Sequence, residues 1–344
     1  MQLRAAWVEA LWYSKRASAP VLVLRCVLAP LALLFQIAAG LRSWMYAAGW
    51  LRVQTTGAPV VVVGNLTVGG TGKTPLVAWL AQRLSERSFR VGILSRGYGG
   101  AAPGALHVKA DTSWRVAGDE ARMLSEQTNV DVVVARDRVA GAKLLLEQGA
   151  NLILCDDGLQ HLRLARACEI VVIDGERGIG NGLLLPAGPL RQSTARLKTV
   201  DVIVINGDGE ARTRLGMRPQ PVLTMHLLPL RVESVADRGS IQPLEWLRGQ
   251  KVHALAGIGN PSRFFAMLQA LGASIVKHPF ADHYTIGAQD LQFGDTLPIV
   301  MTEKDAVKCR EFALANCWFV PVEAVFAPDA AQALLDAITH SLRT

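Results

Sequence analysis

The sequence contains no Cys-x-x-Cys pair. Its five cysteines, Cys26, Cys155, Cys168, Cys309 and Cys317, are odd in number and widely spaced. A disulfide framework and a zinc site are both poor readings, and a reducing cytosol fits better. Charge is also scarce: 19% of the 344 residues are Asp, Glu, Lys or Arg, against 50% hydrophobic. Such a chain can bury a large core, which excludes whole-chain disorder. Acids are nearly missing from residues 1–52. Glu9 stands there against Arg4, Lys15, Arg16, Arg25, Arg42 and Arg52, and this segment supplies most of the net charge of +7. The body is close to neutral, so no nucleic-acid partner is expected. No tandem repeat, low-complexity tract or sign of an obligate protein partner stands out.

The positive charge lies where the chain is most apolar. From Val21 to Leu41 only Arg25 and Gln36 interrupt the hydrophobic run. The clean stretch between Arg25 and Arg42 covers about 24 Å as a helix, short of the roughly 30 Å hydrocarbon core. Pro30 is expected to kink it. Basic residues flank both ends, so charge asymmetry gives no clean crossing. A cleavable signal peptide fits poorly, because no small-residue cleavage site leads into a polar start. An interfacial or partly inserted helix is expected over a full span. A core helix packed on the body is the remaining alternative. Trp7, Trp12, Trp44 and Trp50, with Tyr13 and Tyr46, suit the headgroup level of an anionic membrane surface.

After Pro59 the β-branched run Val60–Val63 enters a glycine-rich turn, and an apolar-periodic segment with Pro75 in its first turn follows. Strand, loop and helix are the context a phosphate-binding loop needs. The loop is Thr67, Val68, Gly69, Gly70, Thr71, Gly72, Lys73 and Thr74. Its N–H groups can face phosphate oxygens, Lys73 can reach the β and γ phosphates, and the Thr74 hydroxyl can ligate Mg²⁺. Thr67 stands where the usual pattern has its first glycine; Gly69 and Gly70 are expected to supply the flexibility. The guanine-specificity string Asn-Lys-x-Asp is absent, since Thr302-Glu303-Lys304-Asp305 has its lysine one place off. No Asp-x-x-Gly switch signature surrounds Asp156-Asp157-Gly158. A GTPase switch is thereby disfavoured.

Apolar strands alternate with helices through residue 206, which implies a mostly parallel, doubly covered sheet with ligands at its carboxyl edge. Asp156 and Asp157 end the strand Asn151–Cys155, where a carboxylate can hold Mg²⁺; a pair of turn formers is the alternative. His161 could bind phosphate, orient these acids or be structural. Asp119 follows Gly118 at a helix start, where it could be a general base or a cap. Residues 207–220 read as a connector and Val222–Val232 as an extended strand, with an interdomain ribbon as one form it could take. A smaller α/β unit follows, with His283 in a loop that either faces the cleft or simply turns.

The strings VGNLTVGGTGKTP, SRGYGG, GDE, CDDGLQH, LPAGPLR, AGIGNPSRFF, DHY and MTEKDAVKC occur in this order. Together they resemble the tetraacyldisaccharide 4′-kinases, over about residues 5–320. The resemblance implies a P-loop NTPase-like α/β/α sandwich and a second, smaller α/β/α domain joined by a β-ribbon, beside the N-terminal membrane-associated helix. The corresponding boundaries are 1–52, 53–220, 221–250 and 251–344, with a return to the first domain near the C-terminus left open. It also implies an enzyme on the cytoplasmic face of the inner membrane. That enzyme transfers the γ-phosphate of ATP to the 4′-hydroxyl of a tetraacylated glucosamine disaccharide 1-phosphate, giving lipid IVA. By motif, Lys73 and Thr74 bind ATP and Mg²⁺, Asp156 and Asp157 serve the metal, and Asp119 is the base paired with His283. Arg96, Tyr98, Gln160 and His161 support the site, and Asn181 lies near the substrate with the LPAGP loop. Two positions depart from the family pattern: Ala121 replaces Pro after GDE, and Gln192 replaces Glu after LPAGPLR.

Overall fold

The computed structural model describes residues 2–14, 16–216, 218–237 and 239–343; Lys15 lies outside them. Two sheets organise the chain. The first eight strands are β1 (Val60–Gly64), β2 (Val91–Ser95), β3 (Leu106–His107), β4 (Asp131–Val134), β5 (Leu152–Asp156), β6 (Cys168–Asp174), β7 (Val202–Asn206) and β8 (Val222–Pro229). A second sheet takes β9 (Val232–Ser234), β10 (Ile241–Gln242), β11 (Lys251–Ala256), β12 (Ser274–Pro279), β13 (Ile299–Thr302) and β14 (Cys317–Val320). The last strand, β15 (Val322–Phe326), returns to the first sheet.

Across the large sheet the order is β15-β8-β7-β6-β1-β5-β2-β4-β3. Only the edge strands β3 and β15 run antiparallel to their neighbours. The central strands are buried along their length, as parallel strands covered on both faces must be. Helices α3 (Lys73–Glu86), α5 (Asp119–Gln127) and α10 (Pro328–Ser341) cover one face through Leu76, Leu80, Leu124, Leu334 and Ile338. The short α4 (Trp114–Ala117) leads into α5. The other face receives α6 (Arg138–Glu147) through Val139 and Leu145, and α7 (Ala211–Leu215) through Ala211 and Leu215.

The smaller sheet has the order β10-β9-β14-β13-β11-β12. Phe264, Phe265 and Leu268 of α8 (Pro261–Ala270) cover one face, and Ala306 and Cys309 of α9 (Glu303–Cys309) the other. The single extended strand read over Val222–Val232 is broken at Leu230-Arg231. Its first part is β8, in the large sheet; its second part is β9, in the small one. The stretch 221–250 is thus shared between the sheets. The return strand β15 pairs with β8, Val322 opposite Pro229, so two adjacent strands link the units.

At the N-terminus α1 (Gln2–Tyr13) and α2 (Ala19–Ala47) form a helical pair. Pro30 sits inside α2 without ending it. The helix is 29 residues long, and only 11% of its most apolar window is buried, which removes the core-helix alternative. By length and composition it is also able to cross a membrane. The shorter reach inferred from the sequence counted only the stretch between two arginines, whereas the helix runs past both. Leu22, Val23, Val27, Leu31, Leu34 and Ile37 are exposed along it. The pair is tied to the body by polar contacts: Trp12 Nε1 donates to Pro186 O at 3.1 Å, and Arg42 to Gln160 O at 3.0 Å.

Candidate active site

β1 lies between β5 and β6, while the chain leaves β1 toward β2 and β4 before returning to β5. The strand order reverses at β1, and a crevice opens there at the carboxyl ends. The phosphate loop leaves β1 at this point. Gly72, the cap of α3, has φ 92°, and a Cβ on it would stand 2.4 Å from Asn206 Nδ2. That amide donates to Thr71 O at 3.0 Å, so the end of β7 holds the loop from the side. Thr67 is buried and bridges Leu190 in an antiparallel pair, a conformation that needs no glycine. The freedom expected of Gly69 is present, at φ 108°. Gly70 abuts Gly259 of the smaller unit, and it is Gly259 that has no room for a side chain. A Cβ on Gly259 would lie 2.1 Å from Gly70 N.

A cavity of about 540 Å³ runs between the sheets, lined by Val68–Pro75, Asp156, Asp157, Arg96, Tyr98, Arg191, His283 and Lys304 among others. The two neighbouring aspartates differ sharply. Asp157, with φ 51°, accepts from both terminal nitrogens of Arg191, at 2.8 and 3.0 Å, and lies 3.8 Å from Lys73 Nζ. Burial pushes its carboxyl up, but Lys73 and Arg191 outweigh that and hold it well below the usual carboxylate range. Asp156 is 2% exposed, and its Oδ1 has no hydrogen-bond partner. Burial, then the nearby Glu120, raise it to about 7 against the pull of Lys73. An orphaned, buried carboxylate oxygen in the wall of the cavity that Thr74 also lines fits a hard cation that would supply the missing charge.

Asp119 begins α5 and is 4% exposed. Its Oδ1 accepts from Glu120 N at 2.8 Å, but Gly118, not Asp119, caps the helix. Across the gap, His283 Nδ1 lies 3.1–3.2 Å from both carboxylate oxygens. The His283 backbone has φ 59°, and its imidazole packs against the Tyr98 ring at 4.4 Å. Lys304 Nζ approaches His283 Nε2 at 3.4 Å and bonds Glu120 and Asp282 at 3.0 Å each. This arrangement places the imidazole proton on Nδ1, donating to Asp119. Burial raises the Asp119 carboxyl, but the His283 hydrogen bond, Lys304 and Lys308 outweigh it and hold it near about 2. Asp119 is therefore an ionised acceptor at neutral pH.

The cleft thus gathers the loop from Val68 to Thr74, Asp156, Asp157, Arg96, Tyr98 and His283, with Asp119 directly behind His283. It does not gather the remaining four candidates, Thr67, Gln160, His161 and Asn181. Gln160 donates to Asn65 O and Gln192 below the loop. His161 is held neutral, with burial, then Arg138 and Arg96, lowering it to about 4. The Asn181 amide donates to Leu11 O and Ala187 O, so it fastens α1 to the LPAGP loop. Arg191, Lys304, Lys308 and Gly259 were given no role from sequence. Each lies in one of the quoted strings, and only three-dimensional contact reveals its partner.

The family profile described as "LpxK: Tetraacyldisaccharide-1-P 4'-kinase" matches residues 24–340. A tetraacyldisaccharide 4'-kinase of Alkalilimnicola ehrlichii is 48% identical over 320 residues, covering 92% of this chain and 93% of the relative. One from Xanthomonas axonopodis pv. citri is 43% identical over 342 residues, covering 98% and 97%. The crystal structure of LpxK from Aquifex aeolicus in complex with ATP is 28% identical with a TM-score of 0.75, covering 93% of this chain and 99% of that one. The match is near full length in sequence and in fold, and the chain belongs to the tetraacyldisaccharide-1-P 4'-kinase family.

Proposed function

We propose that the protein transfers the γ-phosphate of ATP to the 4′-hydroxyl of a tetraacylated glucosamine disaccharide 1-phosphate. The observation that carries the reading is the Asp119–His283 pair, whose His283 lines the same cavity as the phosphate loop. In this reading Asp119 accepts the proton of the 4′-hydroxyl. The oxygen attacks the γ-phosphorus, the bond to the bridging oxygen breaks, and ADP leaves. His283 orients the carboxylate through Nδ1–H. Lys73 and the loop N–H groups meet the charge on the transferred group, with Arg96 in reach of the same cleft. Mg²⁺, when bound, would neutralise phosphate charge, with Thr74 and Asp156 as ligands. Asp157 is committed to Arg191 and Lys73, which suits an outer, orienting role.

In the same reading the residues divide into a membrane-associated segment, a nucleotide-binding domain, a linker and a smaller domain. The enzyme works at the cytoplasmic face of the inner membrane, where ATP is available and α2 can bury its apolar surface. Incubation with radiolabelled ATP and the disaccharide lipid in detergent micelles tests the reaction. A labelled lipid carrying a new 4′-phosphate is the expected product. ATP hydrolysis with no labelled lipid would reject the reading. Deleting residues 1–42 should release the protein from membranes while nucleotide binding persists; full membrane recovery would place the anchor elsewhere.

A further inference from the structure

Lys308 is 1% exposed, among the most deeply buried side chains in the molecule, and no motif argument assigned it a task. A buried ammonium is sustained only where acceptors surround it. Here they come from three elements. Asp305 Oδ1, one turn earlier on α9, lies 3.0 Å from Nζ. Tyr284 O, the residue after His283, accepts at 3.2 Å. Asp119 Oδ2, from the other sheet's layer, lies 3.6 Å away. Asp305 does not need the lysine for its own placement. Its Oδ2 already accepts from Gly257 N at 2.8 Å and from Thr302 Oγ1 at 2.6 Å, and its backbone N–H is capped by Thr302.

Lys308 therefore touches Asp119 and the residue that follows His283, without reaching the cavity. It meets the Asp119 carboxylate on one side. On another it holds the backbone of the turn that puts His283 into its left-handed conformation. Lys304, four residues earlier on the same helix, meets the same pair from the cleft side. The charged groups facing Asp119 are His283, Lys304 and Lys308 from the smaller unit, with Glu120 adjacent on its own helix.

We propose that Lys308 is a positioning residue for phosphoryl transfer, fixing the Asp119 carboxylate and the His283 turn to one another from beneath. The proposal rests on Asp119 being the base. It concerns geometry at the reacting end of the cleft, so substrate affinities should hardly change when Lys308 is replaced.

The test is a kinetic double-mutant cycle on the full-length enzyme in lipid micelles. Lys308→Met should lower kcat about tenfold or more while KM for ATP and for lipid stay within about threefold. Lys308→Arg, which keeps the charge, should recover part of the loss. In the Asp119→Asn background, Lys308→Met should cost little further, because the group it positions is already gone. Additive losses would overturn the proposal. So would parallel changes in kcat and KM that track a fall in Tm, with no recovery by arginine. Should Lys308→Met fail to fold, Asp305→Asn/Lys308→Met removes the buried pair as a unit and is read by the same criteria. If Asp119→Asn alone leaves kcat intact, the base assignment fails instead, a result that the cycle distinguishes.

Discussion

Asp119 and Asp156 are the same side chain, similarly buried, at two ends of one cleft, yet their surroundings drive them in opposite directions. Around Asp119 a histidine and two lysines outweigh the cost of burial, and the carboxyl stays ionised. Around Asp156 burial and neighbouring acids prevail, and one oxygen is left without a partner. The first site is complete within the protein. In the proposed reading a cation completes the second. A buried acid alone therefore says little about role; what faces it decides whether it accepts a proton or waits for a metal.

Substitution by asparagine should separate the two sites. Asp119→Asn is expected to lower kcat by about 10²-fold or more with ATP affinity retained. Steady-state kinetics beside equilibrium nucleotide binding would measure this, and a loss confined to nucleotide affinity would make Asp119 a structural acid. The stability effects should have opposite signs. Without metal or nucleotide, Asp156→Asn removes an uncompensated carboxylate and should stabilise the fold by about 1–3 kcal/mol at neutral pH. Asp119→Asn leaves Lys308 and Lys304 short of an acceptor and should destabilise it. Urea denaturation of both variants would check the contrast, and equal shifts would erase it.

The pH dependence follows the same division. The folded value of Asp156 is raised from 3.8 to about 7, so its contribution weakens the fold as pH rises through that window. Asp119 is lowered from 3.8 to about 2, so its contribution is present above 3.8 and is lost as pH falls toward 2. Stability curves of the two asparagine variants, subtracted from the parent, should show these two windows. A smaller effect is expected midway along the cleft. Gly259→Ala puts a methyl group 2.1 Å from Gly70 N and should lower kcat/KM for ATP about tenfold by displacing the loop. Unchanged kinetics would mean that the two backbones part readily.

The two ends of the cleft also differed in how far the sequence revealed them. The phosphate loop is one contiguous stretch between a strand and a helix, so local chemistry named every residue in it. Asp119 and His283 are 164 positions apart, and only the resemblance paired them. Arg191 and Lys308 carry no local signal, because their charge acquires meaning from Asp157 and Asp119, far away in the chain. The resemblance puts Asn181 near the substrate; that its amide donates to Leu11 O and Ala187 O is a contact no local pattern announces. The alternation of strands and helices was legible. The division of Val222–Val232 between two sheets was not, since an extended apolar run reads alike whichever sheet receives it.

The pairing of β8 with β15 has an architectural consequence. Pro229 and Val322 stand opposite one another, so everything between them leaves and re-enters at a single doorway. A short turn joining those two positions would close an ordinary hairpin and leave the large sheet with all nine of its strands. The smaller unit is in effect a cassette spliced into a finished fold, and what it brings to the cleft is His283 and Lys304, set against Asp119 of the large unit.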